Sequence, residues 1–282
     1  MLGIIGGTGF YNIEGLDIVE EIKVETPFGE PSAPLIKGRF GEQDIIFLPR
    51  HGNNHQFLPF EVNYRANIFS LKSLGVTKVI GVSAVGSLQA DLKHSDFVIP
   101  SQYFDWTMGK RDKTFFGNGI AAHVSTAEPT CLCLTQALSE AGVRLGHPIH
   151  TGKTYACVEG PRLGTKAESN FLRNAVKADV VGMTNVPEAF LAREAQMCYA
   201  TLAIVTDYDC WMDDPEYYVS VQEIFKWYGA SIVNAKALLL DVLKHPLPST
   251  KCSCRTSLSS AVLTSEVTLS ETNKSLLNVL KK

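Results

Sequence analysis

No run of about twenty apolar residues occurs in the 282-residue chain, which excludes a transmembrane helix. A secretory leader is not expected either: no basic segment opens the sequence, and glycines fall where the apolar core of a signal peptide would lie. A cytoplasmic protein is therefore expected. Basic runs are absent, and 26 Lys and Arg against 29 Asp and Glu give a formal net charge of −3, which argues against a nucleic-acid-binding surface. Charged residues make up only 20%, below what an ion-pair-rich thermophile would carry. Internal repeats are missing as well.

Cysteine is not scarce. Seven occur, at 131, 133, 157, 198, 210, 252 and 254, but Cys131-Leu132-Cys133 and Cys252-Ser253-Cys254 leave one residue between thiols where zinc pairs leave two to four. No metal site is expected from that spacing. The central cysteines read as small buried hydrophobes, with disulfides as the alternative.

Strand-like and helix-like segments alternate. Apolar Leu2–Ile5 reads as a buried strand that breaks into Gly6, Gly7, Thr8 and Gly9. Glycines around a hydroxyl let backbone N–H groups approach an anion, so the turn suggests a phosphate site, whether of a dinucleotide, a nucleotide or free phosphate. Further strands are expected at 17–24, 34–38, 44–49, 77–82, 96–100, 150–158, 179–181 and 198–205. Helices are expected over 61–74, from Pro129 to Ala141 with Gly142 closing it, and after three capping boxes, Thr165-x-x-Glu168, Asn185-x-x-Glu188 and Ser220-x-x-Glu223. Residues 102–127 read as irregular. Pro246 and Pro248 break the chain, so residues 1–246 read as one α/β domain and 247–282 as a C-terminal appendage closing in the apolar-periodic Leu276–Leu280.

In an open α/β sheet ligands gather at the carboxyl ends of strands. Those ends supply Gly6–Gly9, Arg50-His51, Ser83–Ser87, Glu159–Arg162, Gly182-Met183-Thr184 and Thr206–Asp209. Arg50 offers a planar fork of donors beside His51, and Thr8 and Ser83 add hydroxyls, which together suit a bound phosphate. Asp207 and Asp209 would ordinarily mark a turn. As a pair at one strand end they can also accept from an N–H and an exocyclic NH₂ together, the N7/N6 edge of adenine when N7 is protonated.

Seven motifs taken in order resemble a known family. They are Gly3-Ile4-Ile5-Gly6-Gly7-Thr8-Gly9, Thr26-Pro27-Phe28-Gly29, Arg50-His51-Gly52, Asn63-Tyr64-x-Ala66-Asn67, Glu159-Gly160-Pro161-Arg162, Met183-Thr184-x-Val186-Pro187-Glu188 and Thr206-Asp207-Tyr208-Asp209. The pattern is similar to that of the methylthioadenosine phosphorylases, in the trimeric purine nucleoside phosphorylase superfamily. The resemblance implies a single domain with a twisted mixed β-sheet flanked by helices, and a pentosyltransferase that converts S-methyl-5′-thioadenosine and phosphate to adenine and 5-methylthioribose 1-phosphate. It implies that Thr8, Arg50, His51, Ser83, the neighbouring backbone at Ala84, and Thr184 hold phosphate. Met183 would pack on the ribose, Asp207 and Asp209 would hold the base beside Thr206, and His123 with Val221, Ile224 and Phe225 would surround the methylthio group. No metal or organic cofactor is implied, inorganic phosphate being a co-substrate. The family's trimers, or dimers of trimers, imply a homo-oligomer whose neighbour completes the pocket.

Mechanistically, cleavage of the N-glycosidic bond leaves positive charge on the ribose and negative charge on the purine, so a phosphate dianion and an acid at N7 are needed. Asp207, with its pKa raised by burial and by Asp209, is the candidate acid. Val85 and Gly182 depart from residues found in other members, near the base and sugar. The cysteine positions resemble those of thermophilic, hexameric, disulfide-bonded members of broad purine specificity. A broad purine nucleoside phosphorylase acting on adenosine, inosine or guanosine is the alternative activity. An NAD(P)-binding protein is disfavoured, because Phe10–Glu20 does not read as the amphipathic helix a dinucleotide turn requires.

Overall fold

Adjacent apolar pairs, Ile4-Ile5, Ile45-Ile46, Phe47-Leu48 and Val79-Ile80, send successive side chains to opposite sides of a sheet, so both faces must be covered. The computed structural model describes residues 1–7, 17–147, 149–212, 214, 220–245, 247 and 252–282, with the side chain of Glu223 outside that set. Thr8, Gly9, Pro246 and Pro248, named above, lie outside the described residues, as does the Glu223 half of the third capping box.

The strands are β1 (Leu2–Gly6), β2 (Asp17–Ile22), β3 (Leu35–Phe40), β4 (Gln43–Pro49), β5 (Lys78–Ser87), β6 (Phe97–Trp106), β7 (Ile149–Val158), β8 (Val180–Gly182) and β9 (Cys198–Asp207). The helices are α1 (Tyr64–Ser73), α2 (Leu132–Leu145), α3 (Lys166–Phe171), α4 (Asn185–Glu194), α5 (Val221–Lys244) and α6 (Glu271–Lys281). Among the described residues the strands form one mixed sheet in the order β2-β3-β4-β1-β5-β8-β7-β6-β9, and β9 also pairs with β5. β1, β4, β5 and β9 run parallel, so their carboxyl ends share one side of the molecule. β5 bonds β9 along most of its length and β8 at Gly86 and Ser87. The second half of the sheet thereby curls back on β5.

On one face Ile5, Ile46, Leu48 and Val79 pack with Ile68 and Leu71 of α1, Ala189 and Leu191 of α4, and Leu276, Leu277 and Leu280 of α6. On the other Ile4, Ile45, Phe47 and Ile80 pack with Leu134 and Leu138 of α2 and Leu238, Leu239 and Val242 of α5. The α/β class expected from the sequence, with one sheet between two helical layers, is the class observed.

Several boundaries differ from those expected. β6 runs on to Trp106, through residues read as irregular, because Gln102–Trp106 pairs with Thr154–Val158 of β7. Gly142 does not end α2. It lies inside the helix, where a Cβ would come within 2.5 Å of the His147 carbonyl oxygen, and Gly146, at φ +72°, ends the helix instead. The Thr165–Glu168 capping box forms with both its bonds. The Asn185–Glu188 box does not: the turn before α4 is capped by Thr184 without a side-chain bond, and Glu188 points to another partner.

Candidate active site

A cleft of about 500 Å³ opens at the carboxyl ends of the parallel strands, within the size range of small-molecule sites. Its walls include Gly7, Arg50, His51, Ser83, Ala84, Val85, Met183, Thr184, Thr206, Asp207 and Asp209, with Val221, Ile224 and Phe225 at the start of α5. All the site residues read from the sequence therefore converge except two. Thr8 lies outside the described residues, although Gly7 before it lines the cleft. His123 is not in the cleft of its own chain; it is exposed, and its backbone N–H donates to Ala261.

Arg50 follows β4 directly and is 1% exposed. Its Nε and Nη2 donate to the two carboxylate oxygens of Glu188 at 2.7 Å each, and Nη1 donates to the Val82 carbonyl, also at 2.7 Å. Burial opposes the guanidinium charge, but the Glu188 carboxylate outweighs it and holds the Arg50 pKa above its ordinary value. These bonds use three of the five N–H groups, leaving one on each terminal nitrogen for a ligand. In the sequence Glu188 fits a capping box, which hides its place in the site; it also accepts from the Tyr199 hydroxyl at 2.8 Å.

His51 is held by a hydrogen bond between Nδ1 and the Phe57 carbonyl oxygen at 2.8 Å, and its ring stacks on His55 with centroids 4.5 Å apart. A carbonyl can only accept, so Nδ1 carries the proton and Nε2 of the neutral ring is an acceptor. Burial, reinforced by the Arg50 charge, pushes the imidazole pKa down to about 4, so the ring is neutral near pH 7.

Ser83 donates to Oδ1 of Asn185 at 2.9 Å. Pairing of β1 with β5 ends at Gly81, which leaves the β5 edge beyond it open toward the cleft at Ser83 and Ala84. Thr184 Oγ1 is buried and has no hydrogen-bond partner among the described residues. Such a buried polar atom calls for a ligand or water.

At the other end, Asp207 closes β9 and is 7% exposed. Its Oδ1 accepts from the Thr206 hydroxyl at 2.8 Å, and its Oδ2 from the Asp209 backbone N–H at 3.0 Å. Burial raises its pKa, with the Asp209 charge acting in the same direction. Burial raises the Asp209 pKa as well. Asp209 has φ +49°, a left-handed turn that Asp tolerates. Gly86 pairs with Asp207 across the sheet, and a Cβ on it would lie 2.8 Å from Asp207 Oδ2.

Arg111 is a second site residue that the sequence does not mark. It is 6% exposed and donates to the carbonyls of Met183 and Val186 at 2.7 Å each and of Glu159 at 2.9 Å, and its Nε donates to the Glu159 carboxylate at 2.9 Å. It ties the loop after β7 to the loop carrying Met183 and Thr184. Nothing in its local sequence announces this, since its acceptors are mostly backbone oxygens. Gly182 has no room for a larger residue: an added Cβ would be 2.0 Å from the Tyr155 hydroxyl oxygen, so that ring fills the space.

One end of the cleft thus carries hydroxyls, a neutral imidazole and a charge-paired arginine suited to an oxyanion. The other carries two carboxylates with raised proton affinity, suited to a base with N–H groups. The sequence model of the phosphorylase superfamily matches residues 1–244. S-methyl-5′-thioadenosine phosphorylase of Geobacter sulfurreducens is 43% identical over 99% of this chain and 97% of its own. The enzyme of the same name from Hyperthermus butylicus is 46% identical over 93% and 95%. The crystal structure of a methylthioadenosine phosphorylase from an antarctic soil metagenomic library superposes with a TM-score of 0.91 at 41% identity, covering 99% of this chain and 98% of that one. That of the Schistosoma mansoni methylthioadenosine phosphorylase in complex with adenine superposes at 0.86, with 36% identity over 93% and 98%.

Proposed function

The chain belongs to the phosphorylase superfamily, in the family of the S-methyl-5′-thioadenosine phosphorylases, and on that premise we propose how its cleft carries out the family's reaction. The protein is a pentosyltransferase with the nucleoside phosphorylase fold. It cleaves S-methyl-5′-thioadenosine with phosphate to adenine and 5-methylthioribose 1-phosphate, a salvage reaction. The observation that carries the assignment of residues is the placement of a polar oxyanion end and a buried Asp pair in one cleft.

Phosphate binds between Arg50, His51, Ser83, the Ala84 backbone and Thr184, with Thr8 completing the cradle. The two N–H groups of Arg50 not used by Glu188 and Val82 donate to phosphate oxygens, as does the free hydroxyl of Thr184, and the Ser83 hydroxyl turns from Asn185 Oδ1 to join them. Neutral His51 accepts the remaining phosphate O–H at Nε2. Because Glu188 balances the Arg50 charge, the bound phosphate keeps its negative charge for the sugar. It stabilises the developing oxocarbenium ion and then bonds to C1′ as the C1′–N9 bond breaks.

Asp207 donates a proton to N7 of the leaving purine, and Asp209 accepts from the exocyclic amine. Burial keeps Asp207 protonated to higher pH than a free aspartic acid, which an acid of this kind requires. Met183 covers the ribose, and Thr206 orients Asp207 through its hydroxyl. Val221, Ile224 and Phe225 meet the methylthio group. Val221 and Phe225 are 59% and 56% exposed in the single chain, which suits a pocket finished by a second subunit. That subunit supplies His123, in a homotrimer or a dimer of trimers. The site works without a metal or organic cofactor and without a nucleic-acid or membrane partner, and the protein acts in the cytoplasm.

A steady-state comparison of kcat/KM for methylthioadenosine, adenosine and inosine at saturating phosphate tests the assignment. Methylthioadenosine is expected to be preferred and inosine, lacking the 6-amino group, to be poorest. Adenosine belongs in the comparison because related Schistosoma mansoni proteins are described as adenosine/methylthioadenosine phosphorylases. Inosine cleaved as efficiently as methylthioadenosine would overturn the Asp207–Asp209 reading and favour a broad purine nucleoside phosphorylase.

A further inference from the structure

Far from the cleft, the fold gathers four cysteines from three separate segments. Cys131 stands at the N-terminus of α2, Cys198 opens β9, and Cys252 and Cys254 flank Ser253 in a short turn of the C-terminal segment. Their sulfurs all lie within 4.8 Å of one another, and Cys131 Sγ is 3.6 Å from Cys252 Sγ. Four thiolates around zinc at about 2.3 Å would set neighbouring sulfurs about 3.8 Å apart. The one-residue gap in Cys252-Ser253-Cys254 is shorter than in the usual zinc pair, but zinc ligands need not all be neighbours along the chain. The fold supplies the other two thiols.

We propose that Cys131, Cys198, Cys252 and Cys254 bind a thiophilic divalent metal ion, zinc, as a closed four-thiolate structural site. A second observation points to an anionic occupant. Lys72, near the end of α1, is 1% exposed, and its ammonium group has no hydrogen-bond partner among the described residues. It lies within electrostatic reach of Cys198 and of Arg255, the residue after Cys254. Four neutral thiols would leave this group buried with no opposing charge, either as a costly cation or as a neutral amine without a hydrogen-bond partner among the described residues. A zinc ion with four thiolates carries a formal charge of −2, which Lys72 and Arg255 offset.

The backbone around the cluster is already fixed. Cys131 donates its N–H to Tyr199 at 2.8 Å, Cys198 donates its own to Thr77 at 2.9 Å, and Arg255 donates to the Cys252 carbonyl at 2.9 Å. The site is structural because four protein ligands leave no open position, and because Cys198 and Asp207 occupy opposite ends of β9, about 30 Å apart at strand rise. Metal would clamp the C-terminal segment, whose α6 packs on α1, to the amino ends of the central strands. Each thiol that binds releases its proton to solvent, and no oxidant is needed.

The test is metal analysis of protein purified anaerobically without chelators, with thiols trapped by alkylation before intact-mass measurement. About one zinc per chain is expected. After chelator treatment, cobalt(II) should restore the visible bands of a tetrahedral thiolate site, and zinc should raise the midpoint of thermal unfolding. The Cys252→Ser, Cys254→Ser double variant should lose the metal, whereas Cys133→Ser, which removes the neighbouring exposed thiol, should keep it. Lys72→Met should fold and bind zinc about ten-fold more weakly. Four free thiols that take up neither zinc nor cobalt would overturn the proposal, and so would disulfides among these cysteines in the trapped protein. Loss of metal from Cys133→Ser would overturn the ligand set, and unchanged zinc affinity in Lys72→Met would overturn the charge argument.

Discussion

Arg50 and Glu188 meet as a bidentate pair with both arms at 2.7 Å, and each side chain is only 1% exposed. Residues 138 positions apart are thus locked in one orientation beneath the cleft. Removing one partner of such a pair leaves an uncompensated charge, which costs about 3–5 kcal/mol in comparable settings. Glu188→Gln is therefore expected to lose stability of that order in urea unfolding. It should also raise KM for phosphate about ten-fold or more, because Arg50 no longer holds its two remaining N–H groups in place. A variant with unchanged stability and unchanged KM would show that the pair neither supports the fold nor positions the arginine.

Asp207 is predicted to act as the proton donor. Asp207→Asn keeps the side chain's size but cannot give up a proton, and kcat for methylthioadenosine should fall by about 10²–10⁴. In the wild type, kcat should decline as pH rises through the upward-shifted pKa of Asp207, since the acid form is the active one. The variant should lack this alkaline limb. A pH–rate profile of both proteins decides the matter, and an identical limb in the variant would assign the proton to another group.

Gly86 gives a steric prediction. A methyl group there would lie 2.8 Å from Asp207 Oδ2 and 3.2 Å from Asp209 Cβ, so Gly86→Ala must displace one of the two carboxylates. A drop of about ten-fold or more in kcat/KM is expected, with KM for phosphate nearly unchanged because the phosphate end lies elsewhere in the cleft. Steady-state kinetics in both substrates check this. A rise confined to the phosphate KM would contradict it.

Two groups whose proton affinity burial shifts set opposing pH dependences of stability. Burial raises the Glu194 carboxyl to about 7 although Phe115 N–H and the Thr114 hydroxyl donate to it. The folded state then binds more protons than the unfolded state between the two pKa values, so this group makes stability fall as pH rises toward about 7, by about 3 kcal/mol at most. His51 works the other way. With its folded pKa lowered to about 4, the unfolded state binds more protons between about pH 4 and 6.5, and stability rises with pH across that window. In the wild type the two slopes largely cancel. Glu194→Gln should uncover a stability that increases from about pH 4.5 to about pH 6.5. Urea midpoints across that range measure it, and a flat profile in the variant would contradict the assignment.

The parts of the site legible in the sequence were those held at strand ends. Arg50, Ser83, Thr184 and Asp207 each follow or end a recognisable apolar run, and parallel pairing of β1, β4, β5 and β9 brings most of those ends together. What stayed hidden depended on distant partners. Glu188 occupies a position that also fits a helix cap, and only the fold shows that it faces Arg50. Arg111 binds backbone carbonyls, which carry no sequence signature. The long extension of β6 was obscured by aromatic and polar residues that are half-buried against β7 rather than alternating cleanly. His123 is exposed beside the C-terminal segment, outside its own cleft, a placement that one chain's sequence could not give.

Phosphate is the nucleophile in the proposed reaction, and the identity of the sugar product tests this most directly. Methylthioadenosine incubated with the enzyme should yield adenine only when phosphate is supplied, with one 5-methylthioribose 1-phosphate formed for each adenine, as resolved by phosphorus NMR. Adenine released at the same rate without phosphate, accompanied by free 5-methylthioribose, would make water the nucleophile and contradict the role given to Arg50, His51, Ser83 and Thr184.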